Sequence, residues 1–265
     1  MSRQPLGIFD SGFGGLTVLR AITDLLPNED LVYFGDSARY PYGPKSKEQI
    51  VDYSVEIARF LVERFDVKML VVACNTASAF ALPELEQTLE IPVVGMIEPG
   101  ARALASQGTG ERIGVIGTIG TISSGAYQQK LRELAPDKAL TCAATPGFVE
   151  FVERGEVDSE QLLVLAERLL RPIADAKAES LLLGCTHYPF IARCIQSVLG
   201  TQVLLVSSAE ETAFQVRNDL FSLSIRSETN DPGQIIYLTT GDVEEFKRIG
   251  KNLLGIDLKN VLRPW

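Results

Sequence analysis

The chain has 265 residues, 46% of them hydrophobic, with 25 Lys and Arg against 34 Asp and Glu. That supply of apolar residues builds a core without disulfides or a metal, which excludes a disordered chain. The net charge of −9 opposes the counterion release behind nucleic-acid binding and the attraction to anionic lipid surfaces, so an anionic ligand must be held by local groups.

In chain order, short apolar runs alternate with stretches of helical period. LGIFD predicts a strand at 6–10, GLTVLRAITDLL a helix at 15–26, LVYFG a strand at 31–35 and KEQIVDYSVEIARFLVERF a helix at 47–65. VKMLVVAC (67–74) predicts the next strand and ASAFALPELEQTLE (77–90) the next helix. Further strands are predicted at PVVGM, RIGVIG, SLLLG and QVLLV. The C-terminal part reads as helix AEETAFQVRNDLF, polar loop Ser227–Gly233, strand QIIYLTT and helix DVEEFKRIGKNLL. Strands apolar at nearly every position are those of parallel sheets covered on both faces, so the predicted class is α/β, mostly parallel sheets flanked by helices.

Two stretches repeat this pattern. VVACNTASAFALPEL (Val71–Leu85) and LLGCTHYPFIARCI (Leu182–Ile195) each read as strand, Cys, polar pair and helix. GIFDSGFGGL and GVIGTIGTIS each read as strand, small polar turn and helix. Two pseudosymmetric domains are predicted, residues 1–97 with 208–265 and residues 98–207, with the seam near Glu98-Pro99-Gly100 and a site in the cleft between them. No window reaches the roughly 18 uninterrupted apolar residues of a membrane span, and the N-terminus has no leader-like apolar run. Four scattered cysteines without a CxxC pair read as free thiols in a reducing, cytoplasmic compartment.

Chemistry in such sheets sits at the carboxyl ends of strands. Cys74 and Cys185 each end a buried strand where a helix is predicted to start, and unpaired N–H groups there favour a thiolate. Across a cleft, two such sulfurs suit chemistry with a base on either side of one carbon, although a buried Cys is equally a small hydrophobe. Cys142 and Cys194 lack polar flanks and read as core. His187, the single histidine, stands two residues from Cys185, where it can tune the thiol or hold a carboxylate. Cys-x-His supplies two metal ligands, but nothing at zinc spacing supplies the rest, so no metal is expected.

Asp10 and Ser11 precede Gly12, Gly14 and Gly15, whose backbone can approach an anion or whose loop can simply be capped by Asp10 or Ser11. The spacing fits neither a dinucleotide fingerprint, since Thr17 stands where the third glycine belongs, nor a P-loop. Arg39-Tyr40-Pro41-Tyr42-Gly43-Pro44 reads as a stiff lip over the site or a plain connection. Asn75, Thr76, Thr118, Thr121 and Thr186 offer neutral hydrogen bonds to carboxylate or ammonium groups, or serve as helix caps. No lysine stands where a pyridoxal Schiff base belongs.

Together DSGFGGLTV (Asp10–Val18), YFGDSARYPYG (Tyr33–Gly43), ACNTASA (Ala73–Ala79) and LLGCTHYPF (Leu182–Phe190) resemble the glutamate racemase family over nearly the whole chain. The resemblance implies a cofactor-independent isomerase interconverting L- and D-glutamate for peptidoglycan precursors, a homodimer in the bacterial cytoplasm. It implies that Cys74 and Cys185 are the two acid/base thiols and that Asp10, Ser11, Tyr42, Gly43, Asn75, Thr76, Thr186 and His187 bind substrate. Thr118, Thr121 and Glu153 are additional contacts, with Asp10 assisting Cys74 and His187 assisting Cys185. Thr145–Glu156 departs from the family pattern, for which a Cys-Pro and a Pro at the position of Glu150 are expected. A solvated face for Glu150, Glu153 and Glu156 is the alternative there. Competing functions are an aspartate racemase on the same plan, a Cys-His acyl hydrolase using Cys185 and His187, and a binding protein without turnover.

Overall fold

The apolar runs form strands that assemble into two separate sheets. A computed structural model describes residues 4–255 and 257–265. Its strands are β1 (Leu6–Asp10), β2 (Leu31–Gly35), β3 (Met69–Val72), β4 (Val93–Val94), β5 (Arg112–Gly117), β6 (Ala139–Ala144), β7 (Ser180–Gly184), β8 (Leu204–Ser207), β9 (Ile235–Thr239) and β10 (Val261–Leu262). The helices are α1 (Leu16–Leu25), α2 (Lys47–Phe65), α3 (Asn75–Thr88), α4 (Ile97–Gln107), α5 (Ile119–Ser123), α6 (Ala126–Leu134), α7 (Phe148–Arg154), α8 (Glu160–Leu169), α9 (Arg171–Asp175), α10 (Ala192–Leu199), α11 (Ser208–Ser222) and α12 (Val243–Leu254).

Every strand pair is parallel. The first sheet runs β10-β9-β2-β1-β3-β4 and the second β6-β5-β7-β8. The cores of the two sheets thus share one order, since β2-β1-β3-β4 maps onto β6-β5-β7-β8, while β9 and β10 extend only the first. In each, the strand order reverses beside the first strand, β1 or β5, and ligand crevices open at the carboxyl ends on either side of such a reversal.

Both faces of both sheets are covered, which explains strands with no polar alternation. In the first sheet, Ile8, Tyr33 and Val71 pack on one side with Leu16, Leu19 and Ile22 of α1, Val216 of α11 and Phe246 of α12. The alternate residues Phe9, Val32, Phe34, Leu70 and Val72 pack on the other side with Ile50, Ile57 and Leu61 of α2 and Leu85 of α3. The second sheet likewise faces α7 and α8 through Ile116, Leu181 and Leu183, and α4 and α6 through Val115 and Leu182. Burying one such Leu, Ile or Phe contributes about 1.5–3 kcal/mol, so these four apolar layers carry most of the driving force for the architecture.

Local signals set the helix boundaries. Ser46 and Gln49 close a reciprocal capping box at the start of α2, and Asp66 ends it in the left-handed region. Asp242 accepts the Glu245 N–H at the start of α12. Glu98-Pro99-Gly100, read as the seam, lies in the first turn of α4, and a Cβ at Gly100 would stand 2.9 Å from Ser208 Cβ. The two passages of the chain between the sheets are therefore neighbours. No described helix is long and apolar enough to cross a membrane.

One local expectation fails. Cys74 does cap an α-helix, accepting the Ala77 N–H at Sγ, but Cys185 does not. After β7 the chain makes a turn, then a short 3-10 segment at Tyr188–Ile191, and only then α10. Pro189 supplies a reason: it lacks the N–H that would bond the Cys185 carbonyl four residues back and disfavours an α conformation at Tyr188, so that carbonyl accepts the Tyr188 N–H in a tighter turn instead.

Candidate active site

The carboxyl ends of β1 and β3 bring Asp10, Ser11 and Cys74 together, and the ends of β5 and β7 present Thr118, Cys185, Thr186 and His187. Asp10 is fully buried and accepts the Gly12 N–H at 2.9 Å. It organises its own loop rather than capping α1, whose N-cap is Gly15 with no side-chain cap. Tyr33, from the neighbouring strand, donates its hydroxyl to the Gly12 carbonyl. Burial raises the Asp10 pKa, opposed by the charge of His187 and by backbone N–H groups of the loop.

The glycines of this loop are needed for close approach. A Cβ at Gly14 would stand 2.3 Å from Thr186 Oγ1 and 2.4 Å from His187 Nδ1. The loop of the first sheet therefore lies directly against the strand end of the second.

Cys74 is buried, with Sγ 3.6 Å from Ser11 Oγ. Burial pushes its pKa up to about 12, reinforced by the charges of Asp10 and Cys185, so Cys74 is a neutral thiol at neutral pH. Cys185 is buried with Sγ 3.8 Å from His187 Nδ1, and His187 Nε2 lies 3.0 Å from Glu153 Oε1. Burial opposes a charge on His187, yet its hydrogen bonds to Cys185 and Glu153 prevail and hold its pKa at about 10. The imidazolium is thus the neutral-pH form.

Hydroxyl and amide groups line the space between. Thr76, Thr118 and Thr121 form a triangle of hydroxyls, with oxygens 2.8, 3.2 and 3.0 Å apart. Thr118 also caps α5, accepting the Thr121 N–H at Oγ1. Asn75 accepts the Tyr127 hydroxyl at Oδ1, while its Nδ2 is buried with no partner among the described residues. Gly43 sits against Thr118, and its carbonyl accepts the Gly120 N–H.

The Tyr42 phenol donates to Asp36 at 2.5 Å and its ring faces Tyr53, in the same apolar cluster as Cys74. Of the three glutamates on one stretch, Glu150 and Glu156 are exposed, and Glu153, partly buried, is the one that pairs with His187. Cys142 and Cys194 are partly buried thiols with no described contact to the site.

Sequence reasoning passed over three supporting groups. Asp36 is fully buried and accepts from Arg39, Tyr42 and Thr240, which pins the 39–44 segment. Tyr127 orients Asn75. Tyr188 and Thr145 exchange hydrogen bonds behind Cys185. The buried phenols carry no sequence signal of their own, but Asp36 after an apolar strand was a visible one. Among the described residues, no three His, Cys, Asp or Glu side chains are grouped to hold a metal ion.

The Asp/Glu/Hydantoin racemase family model matches residues 14–215. A glutamate racemase of Geobacter metallireducens is 48% identical, over 98% of this chain and 96% of its own length. The crystal structure of a Bacillus anthracis glutamate racemase superposes with a TM-score of 0.93 at 39% identity, covering 98% of this chain and 97% of that one. A Francisella tularensis glutamate racemase, solved in complex with D-glutamate, gives 0.92 at 31% identity, covering 99% and 98%. Two parallel α/β sheets with paired thiols at corresponding strand ends, and this likeness over almost the full length, identify the chain as a member of the Asp/Glu/Hydantoin racemase family, an isomerase of the amino-acid racemase type.

Proposed function

We propose that this chain interconverts L- and D-glutamate without a cofactor, using Cys74 and Cys185 as acid and base on opposite faces of the α-carbon. The observation that carries the reading is the pair of buried thiols at corresponding strand ends of two sheets with the same strand order. Each has its own partner, Asp10 for Cys74 and His187 for Cys185.

In one direction a thiolate removes the α-proton and the opposite neutral thiol delivers its own proton to the other face. The thiol and thiolate are then exchanged, and the reverse reaction uses them in the opposite sense. A free thiol has a pKa near about 8.5, far below that of an amino-acid α-carbon, so basicity alone does not supply the rate. The carbanion must be stabilised by the protonated amine it retains, by exclusion of water, and by hydrogen bonds to the α-carboxylate. Asn75 Nδ2, a buried donor without a partner among the described residues, fits that carboxylate, as do Thr76 and Thr186. Ser11, Thr118, Thr121 and the backbone at Tyr42 and Gly43 complete the binding set, with Glu153 acting through His187.

A Cys-His hydrolase leaves Cys74 and Asp10 without a task, which favours racemisation. On this reading the halves 1–97 with 208–265 and 98–207 act as two domains around the cleft. The enzyme works as a cytoplasmic homodimer that supplies D-glutamate to peptidoglycan synthesis.

The test is incubation of the purified protein with L-glutamate in D2O, without pyridoxal phosphate or added metal, following circular dichroism and the α-proton NMR signal. Both signals are expected to decay. Exchange without loss of optical activity would remove one thiol from the mechanism. Inertness toward glutamate with turnover of aspartate would replace the substrate.

A further inference from the structure

One buried hydroxyl beside these groups has no task in the chemistry above. Tyr40 is carried by the loop after β2, yet its ring packs against the apolar core of the second sheet. The ring lies on the backbone of Gly12, where a Cβ would stand 3.0 Å from Tyr40 Cδ2. It meets Phe13 edge-on and tilts against the His187 imidazole, with centroids 6.3 Å apart.

The Tyr40 oxygen is buried and makes no well-formed hydrogen bond to a described residue, while the Glu153 carboxylate lies close enough to act on it as a hydrogen-bond acceptor. A buried donor left unpaired is costly, and such groups in native proteins have a structural or catalytic reason. The titratable groups facing it are Glu153, Glu150 and Cys185, with His187 under its ring and Asp10 beyond the imidazole. Burial and those negative neighbours raise its pKa far above the ordinary phenol value. Tyr40 is therefore a neutral donor, and the carboxylate of Glu153, already engaged with His187, is the acceptor beside it.

We propose that Tyr40 is a positioning residue of the Cys185 half, its ring seating the His187 imidazole and its hydroxyl donating to Glu153 to fix the carboxylate that orients His187. The loop that bears Tyr40 belongs to the first sheet, whereas Glu153 and His187 belong to the second. The contact therefore makes the geometry at Cys185 depend on the two sheets being in register across the cleft.

The kinetic half of this inference rests on the glutamate reading; the spectroscopic half does not. His187 is the single histidine of the chain, so its imidazole NMR signal identifies itself in the full-length protein. A donor to Glu153 withdraws charge from the carboxylate, so Tyr40→Phe, which keeps the ring, is expected to move the His187 titration to higher pH. It should lower kcat on glutamate about tenfold, the weight of one hydrogen bond to a charged group, with KM within about twofold. In a Glu153→Gln background the same change should move neither quantity further.

An unmoved His187 titration in Tyr40→Phe would overturn the proposal, as would a kinetic loss that adds to that of Glu153→Gln. A wild-type protein inert toward glutamate would sink the substrate reading alone, because the His187 titration still decides the role of Tyr40.

Discussion

The two strand ends that carry the thiols share a backbone plan and differ in how they handle protons. Around Cys74 the neighbours are a carboxyl group, Asp10, and a hydroxyl, Ser11, and the thiol caps an α-helix by accepting a backbone N–H. Around Cys185 no α-helix begins, and the contact its sulfur makes among the described residues is with the His187 imidazolium held by Glu153. Strand order was duplicated; electrostatics was not. An α-carbon exchanging its proton between two faces needs an acid and a base at any instant. On the proposed two-thiol reading the unequal halves supply both, one a neutral thiol with a pKa near about 12, the other a thiol beside a cation.

The comparison breaks most readily at the sulfurs. Cys74→Ala and Cys185→Ala are each expected to lose racemisation by at least about a thousandfold, the upper range for general acid–base groups, with polarimetry as the check. Near-normal turnover in either variant would remove the two-thiol assignment. Asp10→Asn and His187→Asn should each cost about 10- to 100-fold in kcat/KM. Racemisation has an equilibrium constant of one, so kcat/KM must fall equally in both directions. The inequality of the halves must instead appear in kcat and KM separately, measured from each enantiomer, and Asp10→Asn should skew them oppositely to His187→Asn. Identical patterns would mean that both residues serve binding alone.

A third measurement concerns stability. The His187 pKa is raised in the folded chain to about 10, against an unfolded value near about 6.5. Its stabilising contribution is therefore fully present below about pH 6.5 and lost as the pH rises through about 10. The difference in thermal midpoint between the wild type and His187→Asn should shrink across that window. A difference that grows with pH would place the neutral imidazole in the native state. The smallest effect is expected at Glu156→Gln, an exposed residue paired with Arg154, where kcat/KM should stay within about twofold while Glu153→Gln lowers it clearly.

Much of this arrangement was legible beforehand. Buried parallel strands announce themselves by unbroken apolar runs, and α2 carries its own capping box, so its predicted span of 47–65 matches the helix. Asp10, Cys74, Cys185 and His187 were visible because polar residues directly after such strands have little reason to be there structurally. What was hidden depends on tertiary contacts. Whether Cys185 begins a helix depended on the turn before Pro189. Tyr42 lost its phenol to Asp36, and Glu153 was distinguished from Glu150 by which side of α7 faces His187 and from Glu156 by the end of that helix at Arg154. The orphaned Asn75 donor and the buried Tyr40 hydroxyl exist only once both sheets are assembled.

The pairing of β2 with β9 has a consequence for how the protein is made. Leu31 to Gly35 register against Ile235 to Thr239, and the whole second sheet lies between them in the chain. During synthesis the four strands β5 to β8 leave the ribosome before β9 exists, so the second sheet can fold while the first still presents the flank of β2 as an open edge. Contacts this distant along the chain are slow to form, and unpaired edges invite association. The stretch that follows the second sheet is therefore the one that closes the open flank of β2 against neighbouring chains.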